Sequence, residues 1–285
     1  MRINTNMVAL TADRNLGLVQ DSLGRSTQKL SSGLRVNMAK DDPAAMTISE
    51  KMRSQIRAID QASRNAQDGV SLIQTAEGAL DGVHATLQRM RELAVQAANG
   101  TLNDEERNAI TGEVNQLIDN VDRIATTSRY DDFVLFNGLF DQNNGAPLHL
   151  QVGANGGERI AISFNDMQSS ALGDLTTPGR DLRSISMADP DAANDAIAVI
   201  DLAIDQVSAQ RSSLGGAQNA LEAVVATLNS SSENLHASES RIRDLDVANE
   251  TVAFTKWQIL SQASAAVLAQ ANLFPQSVLQ LLKGG

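Results

Sequence analysis

Hydrophobic positions recur at helical spacing along most of this chain. Between residues 1 and 42 the stripe Leu16, Val19, Leu23, Leu30 and Leu34 advances in steps of three, four and seven, which places these side chains on one helical face. Gly17, Gly24 and Gly33 each weaken such a helix by about 1 kcal/mol relative to alanine. It is therefore predicted to be marginal until a partner covers its stripe. Asp41-Asp42-Pro43 reads as the next helix start, with acidic caps and proline in the first turn. From there Met52, Ile59, Ala66, Ile73, Leu80, Leu87 and Ala94 recur at every seventh position, with Ile56 and Val70 starting a second column that polar residues interrupt. Asn99-Gly100 is a suitable stop. A third helix follows, carrying Ile110, Val114, Leu117, Val121 and Ile124.

Between 130 and 187 the pattern changes to glycine, asparagine and aspartate with short alternating runs. Leu148–Val152 and Ile160–Phe164 flank Gly153-Ala154-Asn155-Gly156-Gly157, which predicts a β-hairpin. Pro190 opens another helix, whose apolar series Ile197, Ile200, Ile204, Val207, Leu214, Leu221, Val225, Leu228 and Leu235 runs towards the C-terminus. The predicted fold is mainly α: a long antiparallel helical bundle or coiled coil, with a small β-hairpin region at its tip and both chain ends paired.

The stretch from Trp257 to Leu282 contains no charged residue. A membrane-spanning helix needs roughly 20 predominantly apolar residues, but glutamines, serines, Asn272 and Pro275 interrupt this run. No membrane insertion is expected. Burial against protein fits better, because amides and hydroxyls find partners where an unpaired charge is costly. Leu260, Val267, Ala271, Phe274, Val278 and Leu281 supply a heptad face, and its expected partner is the stripe of residues 16–34.

Composition sharpens this picture. Aromatics make up 3% of the 285 residues, so the core is expected to draw on small and aliphatic side chains. Cysteine is absent, which excludes disulfides and thiolate metal sites. A formal charge of -11 argues against nucleic acid and anionic membranes as partners. The N-terminus lacks an apolar h-region, so a chain that leaves the cell needs a route other than a secretory signal peptide. His84, His149 and His236 are far apart, and neither a phosphate-binding loop, a nucleophile elbow nor a metal-ligand spacing occurs. Neither catalysis, a cofactor nor a metal is expected.

Several motifs are more specific. Lys29-Leu30-Ser31-Ser32-Gly33-Leu34-Arg35-Val36-Asn37, followed by Ala39-Lys40-Asp41-Asp42, resembles the N-terminal signature of bacterial flagellins. So do Ala62–Gly69 and Gln74–Leu80, and in the C-terminal half Ser232–Leu235, Glu239–Asp244, Leu268–Asn272 and Pro275–Leu279. The resemblance implies a structural subunit that polymerises into the flagellar filament, exported unfolded through the flagellar type III apparatus. It implies a terminal coiled-coil polymerisation domain from 1–42 plus 247–285, and a long-helix domain from 43–175 plus 190–246 with a hairpin at about 130–165. Residues 176–189 would be a short linker in place of variable outer domains. The expected polymerisation residues are Leu16, Val19, Leu23 and Leu30 with Leu260, Val267, Phe274, Val278 and Leu281. The uncharged C-terminal helix is expected innermost, with the N-terminal helix outside it.

Implied partners are further copies of the chain, an export chaperone at the C-terminal segment, and the filament cap and hook-junction proteins. The segment Gln88–Gln96 is similar to the one recognised by Toll-like receptor 5 of animal hosts, with Arg89, Leu93 and Glu113 as contacts. Tyr130-Asp131-Asp132-Phe133 departs from the family's usual Phe-Asn-Gly, which leaves hairpin geometry open. Two alternatives remain, a hook–filament junction protein and a soluble secreted coiled-coil module.

Overall fold

A computed structural model describes residues 6–141, 145–173 and 180–283, and side-chain surroundings as far as Leu273. It is mainly helical. Its helices are α1 (Met7–Ser32), α2 (Pro43–Ala97), α3 (Asp104–Thr127), α4 (Pro190–Arg243) and α5 (Val247–Lys283), with a 3-10 turn at Leu182–Ser184. Between α3 and α4 lie two antiparallel strand pairs, β1 (Arg129–Tyr130) with β2 (Phe133–Val134) and β3 (Leu148–Gln151) with β4 (Arg159–Ile162). The chain divides into two compact units, Met1–Ile56 with Glu233–Gly285, and Arg57–Ser232.

The helix ends follow from local chemistry. The Asn6 side chain accepts from the Ala9 amide at 3.1 Å to start α1. Gly33 closes it at φ 71, a left-handed conformation that strains any residue with a Cβ. Asp42 accepts from the Ala45 amide at 2.9 Å just before Pro43. Asn103 and Glu106 form a reciprocal capping box at the start of α3. Asp246 caps α5 through the Asn249 amide at 3.1 Å, and α5 runs on past Pro275.

In the second unit α2 and α4 run antiparallel in one register. Arg91 meets Asp201, Arg211 meets Asp81, Ser63 meets Asn229, and Ser232 meets Asp60. Each step forward in α2 is matched by a step back in α4, over roughly 46 Å of helix. The expected column is buried from Ile59 through Ala66, Ile73, Leu80 and Leu87 to Ala94, while its first member, Met52, is half-buried. Its companion column is not the one started by Ile56 and Val70. It is Ala62, Gly69, Ala76, Val83, Met90 and Ala97, three residues further on. Small residues there let a neighbour come close: a Cβ on Gly69 would lie 2.3 Å from Leu150 Cδ1.

The β region contains two hairpins rather than one. The predicted pair forms in the expected place, with Leu148 opposite Ile162 and Leu150 opposite Ile160. Asp131-Asp132 makes a separate tight turn between β1 and β2, with Asp131 at φ 54. Aspartate tolerates that left-handed conformation better than most residues. The expected linker needs correcting where it is described. From 180 onwards it is packed, with Leu182 and Met187 fully buried and the Leu182 amide bonded to the Leu172 carbonyl at 2.9 Å. Residues 176–179 lie outside the described residues.

Candidate functional site

The first unit places the two chain ends side by side. α1 packs against α5, and three contacts fix the direction. Asn6 Nδ2 donates to the Ala271 carbonyl at 2.8 Å, Ser26 Oγ donates to Glu250 Oε1 at 2.5 Å, and Leu34 bridges antiparallel to Asp244. Leu16, Val19, Leu23 and Leu30 are half-buried in α1, as a stripe facing a partner helix should be.

The α5 face differs from the expected one. Leu260 is 36% and Val267 58% exposed. The half-buried positions are Ala253, Phe254, Trp257, Ser261, Ser264 and Leu268, ending at buried Ala271. The physical reason is volume. Large leucines on α1 leave room only for small residues on part of the facing helix, so serine and alanine fill seam positions that an apolar count passes over. Phe274, Val278 and Leu281 lie outside the described side chains.

The two helices consequently present unburied apolar surface. Met7, Val8, Leu10 and Leu18 on α1, and Val247, Val252, Ile259, Leu260, Val267 and Leu273 on α5, are all exposed. Patches of that kind mark interaction surfaces. Among the described residues no helix is long and apolar enough to cross a membrane.

At the inner end of this pair, two of the sequence motifs meet. The Arg35 amide donates to the Arg243 carbonyl at 2.7 Å, the Leu245 amide to the Gly33 carbonyl at 3.0 Å, and the Arg35 guanidinium to the Ile242 carbonyl. Arg243, itself buried, donates from Nη1 to Glu50 at 2.7 Å and Ser49 at 3.2 Å. The bond from Arg243, with the nearby charge of Arg53, holds the Glu50 carboxyl below its ordinary value. The Asp41 carboxyl is held down too, chiefly by the Met38 amide. Both motifs are visible in the sequence, but their pairing is not.

In the second unit Arg89 Nη2 pairs with Glu113 at 3.0 Å and Arg89 Nη1 with Glu92 at 3.1 Å, all three half-exposed or more. Leu93 does not join them. It is 2% exposed and packed into the hydrophobic core, so the expected aliphatic anchor is inaccessible in this fold. Its position, four residues after Arg89, lies on a neighbouring but inward-turned part of the helix. Among the described residues no group of three His, Asp or Glu is placed to hold a metal ion.

Residues 3–141 match the bacterial flagellin N-terminal helical region, and residues 197–282 match the bacterial flagellin C-terminal helical region. The chain belongs to the bacterial flagellin family. It is 48% identical over 283 residues to the flagellin of Halalkalibacterium halodurans, covering 99% of this chain and 100% of that protein. The flagellin of Bacillus subtilis is 45% identical over 304 residues, and flagellin FlaB1 of Treponema pallidum is 43% identical over 288, at the same coverages. Full-length matches to relatives of this size make it a minimal flagellin without outer domains. A solved structure assigned to a flagellar hook-associated protein of Vibrio parahaemolyticus shares the fold, with a TM-score of 0.59 at 16% identity, over 72% of this chain and 100% of that one. Flagellins are a structural protein family, and membership assigns the chain a structural role.

Proposed function

We propose that this flagellin is the repeating subunit of an extracellular flagellar filament, and that copies assemble through the outer faces of α1 and α5. The observation that carries this reading is the apolar surface on both helices, with Leu18 60%, Val252 71% and Ile259 61% exposed. A soluble monomer gains nothing from such a surface, whereas a polymer buries it. The uncharged stretch of α5 suits an innermost position, with its amides turned to a polar lumen and α1 wrapped outside it.

Export in an unfolded state by the flagellar type III route fits a chain without cysteine whose first and last helices depend on each other for burial. A chaperone at the C-terminal segment would shield the same α5 surface before export. Filament cap and hook-junction proteins would meet it at the two ends of the polymer. Toll-like receptor 5 is a further proposed partner, read through the exposed Arg89–Glu113 pair and no longer through Leu93. An Arg89→Ala monomer should lose most of its activity on receptor reporter cells; an unchanged response refutes that assignment.

Electron microscopy of concentrated protein, seeded with sheared filament fragments, tests the central reading. Long filaments are expected, and their absence across seeding conditions removes it.

A further inference from the structure

Glycine follows asparagine at Asn99, Asn137, Asn144 and Asn155. Such pairs are chemically labile, because glycine has no side chain to shield its backbone nitrogen from the asparagine side-chain carbonyl. Asn144 lies outside the described residues. The other three sit in very different surroundings.

In the turn between β3 and β4, Asn155 is held on both sides by one carboxylate. Its Nδ2 donates to Glu158 Oε1 at 2.8 Å and its backbone amide to Glu158 Oε2 at 3.0 Å. Its carbonyl accepts from Gln151 Nε2 at 2.8 Å. The bonds from Asn155, its side chain first, hold the Glu158 carboxyl below its ordinary value. Asn137 is half-buried, and its Oδ1 accepts from the Leu139 amide at 3.2 Å. Gly138 is fixed at φ 80, where a Cβ would lie 3.4 Å from Asp166 Oδ2.

Asn99 has no such restraint. It follows the end of α2, and both it and Gly100 are exposed. Its bonds are long, with Oδ1 accepting from the Thr101 amide at 3.3 Å and its carbonyl from the Leu102 amide at 3.4 Å. A Cβ on Gly100 would meet nothing within 4 Å. The nearby charge is also of opposite sign. Arg107 is buried and donates from Nη2 to the Leu102 carbonyl at 2.9 Å, while its Nε and Nη1 have no hydrogen-bond partner. The acids beside it, Asp104, Glu105 and Glu106, are exposed, and none pairs with it.

We propose that Asn99 is a spontaneous deamidation site, and that the Glu158 and Asp166 carboxylates protect Asn155 and Asn137. The Gly100 amide loses its proton to hydroxide, and the nitrogen attacks Asn99 Cγ. The new N–Cγ bond closes a succinimide as the Cγ–Nδ2 bond breaks, and Nδ2 leaves as ammonia. Water then opens the ring at Cγ to give aspartate, or at the main-chain carbonyl to give isoaspartate. Both the amide anion and the oxyanion that follows it are negative. The Arg107 charge favours them, and a carboxylate beside the reacting pair opposes them. The product carries a negative charge just beyond the negative end of the long helix α2, and isoaspartate also lengthens the backbone of the α2–α3 turn. This chemistry is independent of the filament reading.

The folded chain is aged in mildly alkaline buffer, and each site is followed by peptide mapping and mass spectrometry, in parallel with a sample unfolded in guanidinium chloride. Asn155 must first break its two bonds to Glu158, so Asn99 should convert roughly tenfold or more faster in the folded chain. Asn137 should lag as well, and the three rates should converge in the unfolded sample. Glu158 is exposed, so Glu158→Gln leaves the core intact; it should speed conversion at Asn155 and leave Asn99 unchanged. Conversion of Asn155 or Asn137 as fast as Asn99 in the folded chain overturns the proposal. So does a ranking that persists in guanidinium chloride, which would belong to local sequence alone. An unchanged Asn155 rate in Glu158→Gln removes the protective role of that carboxylate.

Discussion

The two compact units treat apolar side chains in opposite ways. In the second, the continuous cluster from Ala66 to Leu221 is closed off from water, with Ile73, Leu80, Leu87, Phe164 and Ile200 at or near zero exposure. In the first, among the described residues, only Ala12, Val36, Ala45, Ile56 and Ala271 are buried hydrophobics, while most of the exposed large ones lie there. The second unit therefore has the burial to be stable alone. The first has a seam of half-covered leucines and an outer surface that only further protein can cover. A single chain thus holds one closed folded body and one unit that, on the filament reading proposed above, completes its burial between copies.

Breaking the outer surface should have the largest effect. Val267→Asp places a charge on a 58% exposed position of α5. In the monomer it stays in water and costs little; in a polymer it is desolvated without a partner. Seeded assembly followed by sedimentation should lose essentially all polymer, while far-ultraviolet circular dichroism shows an unchanged second-unit melt. A matching loss in the monomer's melt would mean that Val267 is already part of a folded core.

Next in size is the opposite experiment. Leu87→Ala removes a fully buried side chain and should destabilise the second unit by about 2–5 kcal/mol, read by denaturant unfolding. Leu23→Ala, on the half-buried stripe of α1, should cost the monomer much less and should act mainly by raising the concentration needed to assemble. Equal costs for the two would erase the distinction between the units.

These contrasts indicate what the sequence could reveal. Helix starts and stops were legible where they rest on local chemistry, as at Asp42-Pro43 and Asn99-Gly100, whereas Gly33, expected only to weaken the first helix, ends it. The Ile59–Ala94 column was legible because large residues repeat at every seventh position. Its companion was not, since Ala62, Gly69 and Ala76 bury through being small, which hydropathy does not register. The same blindness chose Leu260 and Val267 for the seam that Ser261 and Ser264 occupy. Leu93 was misplaced for another reason: the resemblance supplied a residue list without saying which face each residue takes. The meeting of residues 33–35 with 242–245 joins segments some two hundred positions apart, and no local signal encodes that.

A smaller effect should appear as pH sensitivity at this junction. The folded-state value of Glu50 is depressed, first by its bond from Arg243 and then by the charge of Arg53. Its contribution is therefore complete above the ordinary carboxylate value and is lost as pH falls through the lowered one. Asp41 shifts in the same direction. Limited proteolysis, with an acid-active protease at low pH and a neutral protease near pH 7, should release the chain ends increasingly as pH drops below the usual carboxylate range. Glu50→Gln should be more susceptible than wild type near neutrality and should show a flatter pH response. An identical pH response in the variant would assign the acid sensitivity to Asp41 or to groups elsewhere.

The smallest expected effect is on the second unit's surface. Arg89 forms two ion pairs, with Glu113 and Glu92, and both raise its affinity for the proton. Yet its side chain is 52% exposed, and its partners 47% and 69%. Water already solvates these charges, so removing the pair exchanges one solvated arrangement for another. Arg89→Ala should leave the thermal midpoint of the monomer within measurement error, in contrast to Leu87→Ala two residues away on the buried face. The comparison is sharp because both positions share one helix and differ only in the direction they face. If Arg89→Ala lowered the midpoint as much as Leu87→Ala, the pair would have to be screened from solvent, and the boundary between core and surface on α2 would have to be redrawn. If the midpoint holds while receptor signalling falls, the Arg89 surface acts in recognition without contributing to the fold.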